Sequence, residues 1–380
     1  LLSLLGLSAA LGAVGLILAG CPPSGQQNAG TGGPSPAAEG SPAAGGKGEG
    51  TGKEGGKTIT YAIVAKMLTN PVFDLARRGA ETAAKDLEAK TGNKYVIKYQ
   101  APQTPANGGA EQAQILEQLT ASGVDGVSIA VVDANAVSEP MKEAVGKKIP
   151  VMCFDSDAPT TGRAAFYAIN DIGIGTALAE QLIAAAGADA KGEVAILSGQ
   201  SSAPNLQNRV KGVVDTLKAK APGMTVLPIL YCEDSSDKAV ELIQTTLRSK
   251  PDLRGFVFVG GWPLFVDNAL EAVKDPKRTI VVSADTLPKE IEYLEKGQVA
   301  CLIGQKYFGW GEESVKTLEA IRTGQKPQTG PNGFIDAGFD LVFKSPTPAQ
   351  RALAKGNVRV FSVDEYKKQW QDWASKGSNQ

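Results

Sequence analysis

The sequence predicts an α/β protein with two doubly wound parallel-sheet lobes, and three observations carry that expectation. From Thr58 onward, apolar runs of strand length alternate with amphipathic stretches of helix length, the pattern of parallel strands covered by helices. The alternation comes as two successive series, the second beginning near Ala165. At 380 residues, with 42% hydrophobic and 21% charged content, the chain is also long enough for two domains of ordinary size beyond its N-terminal tract.

The first series opens with residues 58–65 (TITYAIVA), a buried strand. Asn70-Pro71 then supplies a helix cap with proline at the first helical position. Val72, Ala76, Ala80, Ala83 and Leu87 share one helical face, and Gly92 closes the helix. Strands at 95–99, 124–132 and 149–154 follow, separated by helices around 111–121 and 136–145. The second series has strands at 165–169, 193–197, 226–230, 255–259 and 279–283. Helices fall between them around 175–186, 208–219, 238–248 and 264–273. In such sheets ligands sit beyond the carboxyl ends of the strands, so the strand-end loops are where function is sought.

Ahead of the first strand, the apolar run 1–20 ends in Leu18-Ala19-Gly20-Cys21, which resembles the bacterial lipobox. That resemblance implies cleavage before Cys21 and lipidation of its new terminus, anchoring the mature chain outside the cytoplasm; the alternative is an uncleaved membrane helix. Residues 22–57 hold almost only Gly, Pro, Ala, Ser, Lys, Glu and Gln, too few apolar groups to repay ordering. Cys21 and this stretch together read as a lipidated residue on a tether spanning roughly 30–35 Å as a flexible coil. Its Gly/Lys end fails as a phosphate loop, because Thr51 occupies the first glycine position and no strand precedes it.

Composition excludes more than it selects. The chain has no histidine, which removes the commonest general base, the commonest metal ligand and every Ser-His-Asp arrangement. A net charge of −1 without a basic stripe argues against nucleic acid. Cys153, Cys232 and Cys301 lie in or beside apolar strand-like runs without C-x-x-C spacing; they read as small buried hydrophobes, with one disulfide between two of them as the alternative. No catalytic residue, metal or cofactor is therefore predicted.

Read in order, the strand ends carry Lys66 and Asn70, Asp133, Asp155 with Asp157, residues 200–205, Asp234, Trp262, Asp285 and Gln305. Carboxylates accept two hydroxyl protons and amides both donate and accept, so this set suits a hydroxyl-rich ligand. Phe73 and Trp262 are the aromatic candidates for its apolar face. Each has a plainer role open to it: Asn70 as a cap, the aspartates as turn residues, Arg209 in a surface pair, the aromatics as core.

Over roughly residues 58–345 the pattern is similar to the type I periplasmic solute-binding proteins, and within them to the ribose- and galactose-binding group. The resemblance rests on Asn70-Pro71-Val72-Phe73, on the Ile149-Pro150-Val151 strand ending in Asp155, and on Arg209-Val210-Lys211-Gly212. Val281-Val282-Ser283-Ala284-Asp285 and Gln305 complete it. It implies ligand contacts from Lys66, Asn70, Phe73, Asp155, Arg209, Asp285 and Gln305, to which the strand-end reading adds Trp262. Departures are plain: one aromatic of the first loop is lost at Val72, Ser156 stands where an arginine is frequent, Gly260-Gly261-Trp262-Pro263 replaces an asparagine, and Asp234 sits about where a second-lobe aromatic would stack.

The resemblance further implies lobes of 58–168 with 305–333 and of 169–304 with 334–380, joined by crossings near Ile169, Gln305 and Phe334. The expected function is a monomeric, lipid-anchored receptor that captures a pentose, hexose or deoxysugar and delivers it to an ABC transporter; a sensor module for a chemoreceptor or membrane kinase is the alternative. A glycoside-cleaving enzyme using Asp155 and Asp285 is a third reading. At the C-terminus, Tyr366, Trp370 and Trp373 share a helical face that is expected to dock on a lobe.

Overall fold

The computed structural model describes residues 56–103, 107–187 and 190–377; the apolar N-terminal run, Cys21 and nearly all of the proposed tether lie outside the described residues. In chain order the elements are β1 (Thr58–Val64), α1 (Val72–Thr91), β2 (Lys94–Gln100), α2 (Gly108–Ala121), β3 (Gly126–Ile129), α3 (Ala134–Gly146), β4 (Val151–Phe154) and β5 (Ala165–Ala168). Next come α4 (Asp171–Ala186), β6 (Gly192–Ser198), α5 (Pro204–Lys220), β7 (Met224–Val226), β8 (Leu230–Tyr231), α6 (Ser236–Ser249), β9 (Gly255–Phe258) and β10 (Ile280–Ala284). The chain ends with α7 (Pro288–Glu295), β11 (Cys301–Gly304), α8 (Tyr307–Arg322), β12 (Phe334–Asp336), β13 (Asp340–Phe343), α9 (Pro348–Arg351), β14 (Arg359–Ser362) and α10 (Val363–Gly377).

Two sheets result, each the centre of one lobe. The first has the order β12-β5-β4-β3-β1-β2 and all its pairs are parallel. The second has the order β14-β13-β11-β10-β9-β6-β7, with β8 also on β6. Its strands are parallel except where β13 meets β11. Strands such as β4, β9 and β10 are buried along their whole length because helices cover both faces, which is why they read as unbroken apolar runs.

Several expectations need correction. The second series does not begin with residues 165–168: β5 pairs with β4 in the first sheet, consistent with the lobe bounds 58–168. Phe334 likewise does not open the second lobe, since β12 pairs with β5 and the third crossing falls between Asp336 and Asp340. The run 226–230 splits into β7 and β8 around Pro228, which has no N–H to give a ladder. Residues 264–273 form no α-helix; a short 3-10 turn over Trp262–Phe265 gives way to turns, with Asn268 in a left-handed conformation at φ 62°. Cys153, Cys232 and Cys301 are buried and unpaired.

Each lobe is tightened by a helix crossing that depends on facing glycines. In the first, α1 packs on α8, and a Cβ on Gly311 would overlap the Ala76 carbonyl oxygen while one on Gly79 would overlap that of Phe308. In the second, α4 packs on α5, and Cβ atoms on Gly175 and Gly212 would overlap the carbonyl oxygens of Arg209 and Ile172. These crossings set the helices that carry Phe73 and Arg209 toward the region between the sheets. At its C-terminus, α10 packs against α1 of one lobe and α7, β13 and β14 of the other. Tyr366 is fully buried there, and the Trp370 indole N–H donates to the Thr286 carbonyl at 2.7 Å.

Replacing Gly311 by leucine forces backbone apart at the α1–α8 crossing, so G311L is expected to lower stability by roughly 1–3 kcal/mol, read as a reduced urea midpoint at unchanged m-value.

Candidate functional site

Between the lobes lies a cavity with about 450 Å³ of space, part of it open to solvent. All eight side chains singled out from the sequence line it: Lys66, Asn70, Phe73, Asp155, Arg209, Trp262, Asp285 and Gln305. They converge because each follows a strand end or opens the next helix. Lys66 lies two residues past β1, Asp155, Asp285 and Gln305 directly follow β4, β10 and β11, and Arg209 is in the second turn of α5. Asp155 and Asp285 both leave their strands with positive φ, 58° and 77°, a sparsely populated conformation that non-glycine residues hold where the surroundings over-determine it.

The polar groups form one chain of contacts across the cleft. The Lys66 ammonium pairs with Asp155 at 2.9 Å and donates to Asn205 Oδ1 of the opposite lobe at 2.9 Å. Asn205 returns its amide to both Asp155 oxygens at 3.3 and 3.4 Å. Arg209 donates to Asp171 at 2.9 Å, to the Val259 carbonyl at 3.0 Å and to Gln305 Oε1 at 2.8 Å, with Asp155 3.8 Å away. Gln305 hands the chain on through its amide to Asp285 at 2.7 Å, and Asp285 also accepts from the Tyr307 hydroxyl at 3.0 Å and the Gly261 N–H at 2.9 Å.

Burial governs the electrostatics. It pushes the Asp171 carboxyl up to about 7 despite the opposing pull of the Arg209 charge. The Asp234 carboxyl is lifted to about 6 by burial, against the charge of Lys66 and a hydrogen bond from the Gln200 backbone. Arg209 moves upward, because the surrounding carboxylates outweigh the burial that opposes its charge.

The aromatic floor is made by Phe73, which lies 6.3 Å from Phe154 and 5.6 Å from Trp310, ring centroid to ring centroid. Phe73 and Trp262 are therefore at once core side chains and cavity walls. Asn70 likewise combines two roles: its Oδ1 accepts from the Val72 N–H at 3.2 Å at the helix start while the residue lines the cavity.

Other strand-end candidates divide. Asn205 and Asp234 also line the cavity. Asp133 does not; it caps α3 by accepting from Asn135 and Ala136 at 2.8 and 3.2 Å. Asp157 is taken by Arg163 at 2.5 Å. Trp310 is a lining aromatic that strand-end reading misses, since it sits in the first turn of α8, five residues past Gln305, and its signal is only a large aromatic close behind a strand end. Among the described residues no group of acidic or cysteine side chains could hold a metal ion, and no helix is long and apolar enough to cross a membrane.

Two α/β lobes joined by three crossings around a polar cleft define a periplasmic binding protein of type I. Residues 61–326 match the family model described as a periplasmic binding protein domain, and the chain belongs to that family. It is similar to the D-allose-binding periplasmic protein of Escherichia coli strain K12, 23% identical over 275 residues that cover 70% of this chain and 85% of that protein. The ribose import binding protein of the same organism is 27% identical over 272 residues, covering 71% of this chain and 86% of its own. Among solved structures, an ABC transporter solute-binding protein from Burkholderia graminis in complex with D-arabinose shares 33% identity at a TM-score of 0.67, over 76% of this chain and 96% of that one. A carbohydrate transporter solute-binding protein from Agrobacterium radiobacter, also with D-arabinose, shares 26% at 0.68, over 78% and 99%.

Removing the guanidinium would leave Asp171 enclosed without its cation. R209M is therefore expected to cost roughly 3–5 kcal/mol of stability, and D171N in the same chain is expected to recover part of it, both measured by urea unfolding.

Proposed function

We propose that this chain is an extracytoplasmic receptor that binds a small sugar between its lobes and delivers it to an ABC transporter. The observation that carries the reading is the convergence of Lys66, Asn70 and Asp155 from one lobe with Arg209, Trp262 and Asp285 from the other on a single cavity, with Gln305 at a crossing between them. A polyol offers each of these acceptors a hydroxyl proton and each donor an oxygen lone pair. Because the contacts come from both lobes, a ligand gains its full set only in a closed arrangement, and binding shifts the population toward closure. The solute-binding relatives named for ribose and allose, and the neighbours solved with D-arabinose, support a pentose or hexose as the ligand class.

Binding rather than bond cleavage fits the chemistry. The chain has no histidine, and Asp155 and Asp285 are each engaged by lysine, amide, hydroxyl or backbone donors. Carboxylate oxygens already occupied by such donors are not free to deliver a proton to a leaving group. Transport uptake, rather than sensing, is the role we assign, with the transporter's membrane subunits as partners and the receptor acting as a monomer. Lipidation of Cys21 would keep it at the membrane.

Isothermal titration against ribose, allose, arabinose, galactose, fucose and rhamnose should give binding heat with at least one, and a D155A variant should lose it; heat from none of them would end the sugar reading. For the anchor, cell fractionation is the measurement: the native chain should sediment with membranes and labelled palmitate, and C21A should appear in the soluble extracytoplasmic fraction.

A further inference from the structure

One end of the cleft, on the second lobe, differs in character from the rest. Asp155 and Asp285 have their oxygens engaged by side-chain or backbone donors, whereas Asp234 Oδ1 is buried without a hydrogen-bond partner among the described residues. The indole Nε1 of Trp262, 6% exposed as a residue, is buried and without a partner in the same way. These two groups are neighbours. An added Cβ on Gly199 would overlap Asp234 Oδ1 and come within 2.6 Å of Trp262 Cζ2, and one on Gly260 would come within 2.5 Å of the same indole. Glycine at both positions opens the space in which carboxylate and indole meet. Asp234 itself sits at φ 60°, the third cavity aspartate held in the left-handed region.

The chemistry of the pair narrows what completes it. An ionised carboxylate only accepts and an indole N–H only donates, so the pair calls for one group that does both, which a sugar supplies as a hydroxyl. An ammonium would serve Asp234 alone and would meet the Lys66 charge that already acts on that carboxylate. The face of a sugar ring would serve neither. Around Asp234 the other groups in play are the Gln200 backbone donor and the Asp155 carboxylate, which repels it.

We propose that Asp234 and Trp262 form the specificity-determining subsite of the cleft, reading one particular hydroxyl of the bound sugar and rejecting the analogue that lacks it. This rests on the sugar-receptor reading. A site with two buried polar groups left unpaired by a deoxy ligand discriminates more strongly than an apolar pocket does.

The test is a set of binding cycles by isothermal titration. The best ligand among ribose, allose, arabinose and galactose is compared with each of its monodeoxy analogues, on the native chain, D234L, D234N and W262F. We expect one analogue to bind the native chain about 10–100-fold more weakly than its parent, with that penalty erased in D234L, reduced in W262F and intermediate in D234N, while penalties at other positions are unchanged. Equal penalties in native and D234L at every position would overturn the proposal, as would native preference for a deoxy sugar over its parent. Should D234L fail to fold by circular dichroism, D234N and W262F decide on the same criterion. If no sugar of the set binds the native chain, the sugar reading itself fails, an outcome distinct from binding without the Asp234-dependent penalty.

Discussion

A guanidinium enclosed between two lobes constrains this molecule more than any other group. Arg209 is 2% exposed, and an unpaired charge in that position would cost several kcal/mol. It is stabilised by acceptors from four separate parts of the chain: Asp171 at the start of α4, the carbonyl of Val259 after β9, Gln305 after β11 and, at longer range, Asp155 after β4. Those acceptors are ends of strands and helices from both sheets. Satisfying one side chain thus fixes where the first lobe, the second lobe and the crossing segment at Gln305 stand relative to one another, and the binding groups inherit that geometry.

The same network explains how the site can be both rigid and responsive. Around the crossing at Gln305, Asp285 accepts from Gln305, from the Tyr307 hydroxyl at the start of α8 and from the Gly261 N–H, which fixes the direction of its carboxylate. Across the mouth of the cleft, Lys66 and Asp155 of the first lobe meet Asn205 of the second. Those cross-lobe bonds use the groups a ligand hydroxyl would use, so ligand and empty-cleft contacts compete for the same donors and acceptors. In the proposed receptor, such exchange would offset part of what the ligand contacts gain on closure. The C-terminal helix α10 adds a lobe-spanning strap, with Trp370 bonded to the Thr286 backbone next to Asp285.

Much of this was legible in the residues. Fully buried β4, β10 and β11, each followed at once by a polar side chain, carry both halves of the message: a strand buried on two faces and a functional group placed at its exit. Asp155, Asp285 and Gln305 are found that way. Arg209 needed the resemblance as well, because a charge within a helix reads equally as a surface residue. Strand-end position alone misleads at Asp133 and Asp157, whose short carboxylates are consumed locally by a helix cap and by Arg163. Trp310 escapes it altogether, since it reaches the cleft from a helix packed beneath.

Periodicity and strand-end chemistry in the sequence alone determined the α/β class, the two series of units and most of the polar groups of the cleft, because burial on both faces of a strand and exposure at its end are local demands on residue type. Which sheet the edge segment β12 joins was decided only in the tertiary structure: it belongs to the first because it pairs with β5, and nothing in three residues encodes a partner more than 160 positions away. The division of labour among the three cavity aspartates was settled in the same way. Asp155, Asp234 and Asp285 are alike as residues, and only the donors brought to them from distant segments leave one of them with an oxygen to spare.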